Sequence, residues 1–138
     1  MLLSELMATG TYVAVVPTPA TLALLQAWAD AQHIELDRDL HVTLLCSRAV
    51  VNVVPKPHEF VATGISLDRF GDALVLKLKS DAIETRHGEL IAMGGTHDYP
   101  DFIPHLTLQC QSNLSRSDVE VPDFGMVFGS EYVEPLRP

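Results

Sequence analysis

Hydrophobic and polar positions divide the first part of the chain into a strand and a helix. Residues 11–16 are rich in β-branched side chains and are closed by Pro17, a pattern typical of a strand. Thr18 suits a helix N-cap and Pro19 suits the first helical position, so we expect a helix that runs to about His33. Its apolar stripe, at helical spacing, comprises Leu22, Leu25, Trp28 and Ala29.

The rest of the chain contains a second helix and several strands. The helix is predicted to start after Ser80, its candidate N-cap, and to end at Gly94-Gly95. Its apolar stripe comprises Ile83, His87, Leu90 and Ile91. Strands are predicted over residues 41–46, 59–70, 73–79, 105–110 and 125–133, with 59–70 and 73–79 forming a hairpin turned at Gly71. Pro55 and Pro57 exclude residues 52–58 from a sheet interior.

This order of elements, β-α-β-(β-β)-α-β-β, predicts an α+β fold. Neither linker-like nor low-complexity segments divide the sequence, so residues 1–138 are expected to form one domain. Each half supplies a helix that can pack on antiparallel strands, which favours two similar halves with a central cleft. The pattern of elements alone leaves the function open.

Composition and charge narrow the classes of protein and partner. The 138 residues are 47% apolar and 20% charged, as in a globular domain. Lys and Arg number 9 against 18 Asp and Glu, which gives a net charge of -9. Long nucleic acids need clustered basic side chains, and here these are scattered. Any nucleotide ligand is therefore expected to be small and bound in a pocket.

Membrane insertion and secretion are also not indicated. The apolar runs fall far short of the roughly 20 residues that a membrane-spanning helix needs. Residues 1–10 lack a basic segment and contain Glu5, unlike a signal peptide. Two cysteines, Cys46 and Cys110, cannot form a disulfide framework, which favours a reducing cytoplasm.

A short motif occurs twice, and it is the feature that points to chemistry. Residues 41–46 read HVTLLC and residues 105–110 read HLTLQC, 64 residues apart, each after a helix and a loop. A single His-x-Thr is usually only the polar face of a strand. Two copies in equivalent units suggest an internal duplication.

Strand geometry gives this repeat a possible catalytic meaning. Side chains two residues apart share a face, so each strand presents one imidazole and one hydroxyl together. A neutral histidine can accept a proton from an attacking hydroxyl while a protonated one donates to the leaving oxygen. Threonine hydroxyls can donate to phosphate oxygens. The candidate catalytic residues are therefore His41, Thr43, His105 and Thr107.

Other reactive side chains have simpler interpretations. Cys46 and Cys110 lie at odd offsets from the histidines and are expected on the buried face. His87 is expected in the core, and surface positions are expected for His33 and His58. His97 fits either the cleft or a surface loop. The sequence contains no metal-ligand spacing, so we expect no metal or other cofactor.

The paired motif resembles the two His-x-Thr/Ser motifs of the two-histidine (2H) phosphoesterase superfamily. Within it, three segments look like the phage anti-CBASS cyclic-oligonucleotide phosphodiesterases: residues 10–17, 96–108 and 127–132. The resemblance implies a bilobal fold and metal-independent cleavage of 3'-5' linkages in cyclic di- and trinucleotides that activate CBASS effectors. It also implies a phage protein acting in the bacterial cytosol.

The resemblance assigns roles to individual residues. His41 and His105 would be the acid and base, in an order that the near-symmetric motif leaves open, and Thr43 and Thr107 would bind the phosphate. The candidate substrate-binding residues are Tyr12, Glu131, Phe70 and Tyr132. Tyr12 would reach the phosphate or cleft, and Glu131 a base or ribose. Phe70, Tyr132 and Trp28 are the candidates for stacking on bases.

Two alternatives remain open at this point. One is an RNA-end-processing enzyme of the same superfamily, acting on 2',3'-cyclic phosphates or 2'-5' linkages, although the acidic charge disfavours a tRNA-sized substrate. The other is a protein that binds a cyclic nucleotide without cleaving it. The oligomeric state is also left open. Local compensation of the negative charge is expected from Lys77, Lys79 or Arg48.

Overall fold

Over the residues that the structure describes, the protein has an α+β fold with one curled antiparallel sheet and two helices. The computed structural model describes residues 9–99, 101–112 and 119–136. Residues 1–8, in which no signal peptide is predicted, lie outside these ranges, as does part of the polar segment that precedes the last strands. The elements are β1 (Gly10–Val15), α1 (Pro19–Ala31), β2 (Val42–Ser47), β3 (Phe60–Phe70), β4 (Ala73–Lys79), α2 (Asp81–Ala92), β5 (His105–Gln109), β6 (Met126–Phe128) and β7 (Tyr132–Leu136). No helix in these ranges is long and apolar enough to cross a membrane.

The sheet places the two motif-bearing strands side by side near its centre. The strand order is β6-β3-β4-β5-β2-β1-β7, and neighbouring strands in this order are antiparallel. β6 and β7 lie on opposite edges although only three residues separate them, and Pro17 also forms a bridge with Phe128. The sheet must therefore curl until its edges approach. This arrangement is consistent with the predicted two-lobed fold.

The prediction of a single last strand over residues 125–133 is wrong. Met126 and Phe128 are buried and pair with β3, whereas Tyr132 starts a strand that pairs with β1. Between the two strands, Glu131 is buried and bonded to Arg86 of α2. The chain therefore leaves one edge of the sheet and joins the other within three residues.

The first helix begins as predicted, but its buried face differs from the predicted stripe. The Thr18 hydroxyl accepts a hydrogen bond from the Thr21 backbone N–H, and Pro19 occupies the first turn. Thr21, not Leu22, faces the sheet, because its hydroxyl accepts a hydrogen bond from the Val127 N–H. Leu22 is 44% exposed. The buried residues of α1 are Thr21, Leu25 and Ala29.

The second helix agrees more closely with its predicted pattern. The Ser80 hydroxyl accepts a hydrogen bond from the Ile83 N–H and donates one to the Val61 carbonyl, so this cap also ties α2 to β3. The buried residues of α2 are Ile83, Arg86, His87 and Leu90. Arg86 is the unexpected member of this set.

Candidate functional site

The two motifs come together across adjacent strands. Val42 of β2 pairs with Leu106 of β5 in an antiparallel register. Continuing that register by one residue in each direction puts His41 opposite Thr107, and Thr43 opposite His105. Because neighbours of a buried pair point to the other face, all four polar side chains share one face of the sheet. Val42 and Leu106 themselves are fully buried in the core.

Each motif strand contains an irregularity at the same position of its repeat. The register of β2 against β1 skips Leu44, so that Val13 pairs with Leu45 and Ala14 with Thr43. The register of β5 against β4 skips Leu108 in the same way. One extra residue of this kind is a β-bulge, and it shifts the inward and outward alternation that follows by one position. The two motifs therefore share a structural irregularity as well as a sequence pattern.

These bulges explain why the prediction for the two cysteines is wrong. Cys46 and Cys110 are exposed, not buried. After the bulge, Cys46 pairs with Tyr12 and so shares a face with it. Cys110 follows the second bulge, and its backbone N–H donates to the Asp37 carboxylate. The pKa of the Cys110 thiol is raised, chiefly by a side-chain hydrogen bond to Asp37, then by the charge of that carboxylate and by burial.

Both motif histidines bind a backbone carbonyl in the same way. His41 Nδ1 lies 2.7 Å from the carbonyl oxygen of Asp39, and His105 Nδ1 lies 2.9 Å from that of Ile103. In each case the carbonyl belongs to the residue two positions earlier. A carbonyl only accepts, so Nδ1 carries the proton and Nε2 is left for proton transfer. Backbone carbonyls carry no side-chain signature, and these two partners were not predicted from the sequence.

On the β1 side, two tyrosines flank the motif. The Tyr12 hydroxyl and the Thr43 hydroxyl are 2.8 Å apart, and the Tyr12 ring centroid lies 6.1 Å from that of His41. Tyr132 packs edge-on against Tyr12 at 6.3 Å. Burial raises the pKa of Tyr12, so its phenol keeps its proton. A protonated phenol can donate to Thr43 and leave the threonine proton free for a ligand.

On the β4 side, an aromatic ring and a lysine flank the second motif. Phe70 packs edge-on against His105 with ring centroids 5.0 Å apart. Lys77 pairs directly with His105 in the β4–β5 register, and its ammonium lies 5.9 Å from the Phe70 ring centroid. The same ammonium lies 3.2 Å from a carboxylate oxygen of Asp68. A cation thus lies beside one motif histidine.

The other expected charge partners are engaged elsewhere. Arg48 forms an exposed ion pair with Asp98 at 2.9 Å. Lys79 is 3.1 Å from carboxylate oxygens of Asp81 and Glu84. Of the three cations proposed to offset the acidic charge, only Lys77 adjoins a motif histidine.

Glu131 is bonded to residues outside the two motifs. Its side chain is fully buried, and both carboxylate oxygens accept hydrogen bonds from the Arg86 guanidinium, at 2.6 and 3.0 Å. The Lys56 backbone N–H also donates to it. These contacts account for both oxygens without a ligand. Trp28 also has a partner outside the two motifs, since its indole N–H donates to the Glu120 carbonyl.

None of the remaining histidines, all of which the structure describes, packs against the ring of His41 or His105. His33 and His58 are exposed, as predicted. His87 is buried in α2, as predicted, and His97 packs against it at 4.9 Å rather than beside His41 or His105. Among the residues that the structure describes, no three His, Cys, Asp or Glu side chains form a group able to bind a metal ion.

Comparison with known proteins gives a consistent assignment. The family model described as "Anti-CBASS protein Acb1" matches residues 9–138. A relative of that name from Vibrio phage KVP40 is 41% identical over 73% of this chain and 69% of its own. Another, from Enterobacteria phage T4, is 36% identical over 94% and 90%, and one from Yersinia phage phiR1-RT is 32% identical over 99% and 95%. The chain therefore belongs to the Acb1 family of anti-CBASS proteins.

Proposed function

We propose that this protein is a phage phosphodiesterase that opens cyclic di- and trinucleotides in the bacterial cytosol and so counters CBASS signalling. The observation that carries the proposal is the Val42–Leu106 pairing, which puts two His-Thr pairs on one face of the sheet. Membership of the anti-CBASS family and the three phage relatives support the biological role. The repeat and its matching bulges support placement in the two-histidine phosphoesterase superfamily.

The mechanism uses the two imidazoles in opposite protonation states. One neutral Nε2 takes the proton of a ribose 2'-hydroxyl, whose oxygen then forms a bond to the adjacent phosphorus. The bond from phosphorus to the 5'-oxygen breaks, and the second imidazole donates a proton to that oxygen. This opens the ring and leaves a 2',3'-cyclic phosphate at one end. The carbonyls of Asp39 and Ile103 keep both Nε2 atoms available for these transfers.

The hydroxyls supply hydrogen bonds where charge develops. Thr43 and Thr107 share the face of the two histidines and are suited to donate to the non-bridging phosphate oxygens. Tyr12 orients Thr43 through the 2.8 Å contact between their hydroxyls. Hydrogen bonds positioned in advance stabilise the transition state more than the ground state, because they need no reorganisation.

The aromatic side chains provide surfaces for the nucleobases. Phe70 adjoins His105 and Tyr132 adjoins Tyr12, so they flank the phosphate site on opposite sides. Stacking of a base on an aromatic ring contributes about 1–3 kcal/mol. Two such surfaces around one reacting phosphate suit a ligand with a base on each side of the linkage.

A panel of substrates tests this function directly. The purified protein is incubated with 3'-3' and 2'-3' linked cyclic di- and trinucleotides and with linear RNA ending in a 2',3'-cyclic phosphate, and products are separated by chromatography. We expect linear products from the cyclic compounds. Opening of the RNA end alone would favour an RNA-processing enzyme, and binding without product would favour sequestration.

The pH–rate profile of the enzyme is expected to be bell-shaped. The mechanism needs one neutral and one protonated imidazole at the same time, so it loses either its base or its acid when both are in the same state. The measurement is kcat/KM between about pH 5 and pH 9, on either side of the ordinary histidine range. A flat single-turnover profile, in which chemistry limits the rate, would contradict the acid–base pair.

Chelation is expected to leave the rate unchanged, because every transfer in this mechanism is made by protein imidazoles and hydroxyls. Turnover of a cyclic dinucleotide is compared before and after dialysis against EDTA. Loss of activity that returns on addition of zinc or manganese would show that a metal ion takes part.

A further inference from the structure

The bulge residue beside Thr43 is bound from the helical side of the sheet. Leu44 is skipped in the pairing of β2 with β1, and its side chain is buried. Its carbonyl oxygen lies 2.7 Å from Nδ1 of His87, a buried residue of α2. A side chain outside the motif therefore binds the irregular point of the first motif strand.

The imidazole of His87 is suited to a fixed role as a donor. It stacks on the Phe102 ring with centroids 3.8 Å apart and an angle of 6° between the planes. Burial lowers the pKa of His87 and outweighs the hydrogen bond to the Leu44 carbonyl, which acts in the opposite direction, and the neighbouring His97 also lowers it. The ring is therefore neutral near physiological pH, and Nδ1 carries the proton that the Leu44 carbonyl accepts.

The bulge directly follows Thr43 and sets the backbone geometry beside it. A bulge bends the strand and changes the direction of the side chain at the irregular residue. Thr43 directly precedes the bulge, and its hydroxyl lies on the site face against Tyr12. If the bulge moved one position toward the N-terminus, Thr43 would itself become the irregular residue and its hydroxyl would lose its alignment with Tyr12.

We propose that His87 is a positioning residue for the reaction: by binding the Leu44 carbonyl it keeps the bulge at Leu44 and thereby keeps the Thr43 hydroxyl directed at the substrate phosphate. This inference rests on the proposed phosphodiesterase function. It assigns His87 a role beyond filling the core.

In the second motif, the carbonyl at the equivalent bulge is bonded by a different kind of partner. The Leu108 carbonyl, at the equivalent bulge, accepts a hydrogen bond from the Asp37 backbone N–H at 2.8 Å. Both bulge carbonyls are thus bonded from outside the motif strands. Only the first depends on a side chain, so substitution can test it there without altering the main chain.

The test compares two substitutions that differ by one methylene group. In His87→Asn the side-chain amide nitrogen takes the place of Nδ1 and can still donate to the Leu44 carbonyl. In His87→Gln the amide nitrogen is one methylene group further from the backbone and is displaced from that position. We expect kcat for a cyclic dinucleotide to fall about tenfold or more in His87→Gln, with KM little changed, because small misplacements of a catalytic group cost rate. His87→Asn is expected to stay within about threefold of the wild type. His97→Gln, which alters the neighbouring imidazole, serves as the matched control and is expected to leave kcat unchanged.

Hydrogen exchange of residues 42–47 provides a readout that does not require activity. Faster exchange of the β2 amides in His87→Gln, and unchanged exchange in His97→Gln, is the expected result. Equal kcat in His87→Gln and the wild type, or equal loss in His87→Asn and His87→Gln, would overturn the inference. If the wild type cleaves no cyclic nucleotide, the proposed function fails, whereas unchanged exchange in His87→Gln rejects the positioning role by itself.

Discussion

Replacing either motif histidine by alanine is expected to lower kcat at least a hundredfold while the fold is retained. General acid–base catalysis typically contributes about 10²–10⁴-fold, and each imidazole supplies one of the two proton transfers. His41 and His105 are partly exposed, with Nδ1 bonded to a main-chain carbonyl, so neither supports the core. The measurement is kcat for a cyclic dinucleotide, with thermal unfolding to confirm that each variant is folded.

His58→Ala is the matched control for these two variants. His58 is exposed and packs only on Phe60 among the aromatic rings of the described chain, so its removal is expected to leave kcat unchanged. The double variant is expected to be only slightly slower than either single variant, because residues that act in one step are not additive. Turnover near the wild-type rate in His41→Ala or His105→Ala would reject the mechanism.

A modified substrate can assign the acid and the base. When sulfur replaces the bridging 5'-oxygen, the leaving group is a thiolate, which needs no proton because thiols are far more acidic than alcohols. The variant that lacks the acid is expected to regain most of its rate on this substrate. The variant that lacks the base is expected to remain slow. Equal behaviour of the two variants would contradict a division of roles.

Local signals in the sequence predict most of the elements and the hairpin pairing of β3 with β4, but not the pairing of strands that are distant in the chain. The N-caps Thr18 and Ser80 were found because capping depends on residues within one turn. The shared face of each His-x-Thr pair also follows from local strand geometry. The division of the last strand into β6 and β7 depends on partners far away in the chain, so the local pattern of residues 125–133 does not show it.

The two bulges are the clearest features that the local sequence pattern does not predict. Strict alternation of inward and outward side chains along β2 predicts that Cys46 is buried on the same face as Leu44. This prediction would hold only for a strand without a bulge. Leu44 and Leu45 are both buried, and the alternation resumes one position later. A bulge is defined against the neighbouring strand, and its carbonyl partner, His87, belongs to a helix distant in sequence. The motif therefore predicts the candidate catalytic residues, whereas tertiary contacts decide where each strand bulges and which face the residues after the bulge occupy.

The second large effect is expected at the buried ion pair between Arg86 and Glu131. Their side chains are 3% and 0% exposed, and the guanidinium makes two hydrogen bonds to the carboxylate. The pair joins α2 to the segment between β6 and β7, where the chain passes from one sheet edge to the other. Removing one member leaves an uncompensated buried charge, which typically costs about 3–5 kcal/mol.

Arg86→Met is accordingly expected to lower the free energy of unfolding in urea by about 3–5 kcal/mol. Arg48→Met is the matched control, since it removes an arginine whose ion pair with Asp98 is 80% and 47% exposed, and exposed pairs contribute little to stability. The double variant Arg86→Met/Glu131→Leu is expected to recover part of the loss because no buried charge remains. Equal effects of Arg86→Met and Arg48→Met would show that the buried pair is not a major source of stability.

The same pair separates two interpretations of Glu131. A carboxylate that contacts the substrate would, on replacement by Glu131→Gln, raise KM in a protein of nearly unchanged stability. A carboxylate that binds Arg86 and the Lys56 N–H would instead lower stability and leave the KM of the folded protein unchanged. We expect the second outcome, because both oxygens are already bonded within the protein. The measurement is KM for a cyclic dinucleotide well below the unfolding temperature, and a raised KM with wild-type stability would return Glu131 to the substrate site.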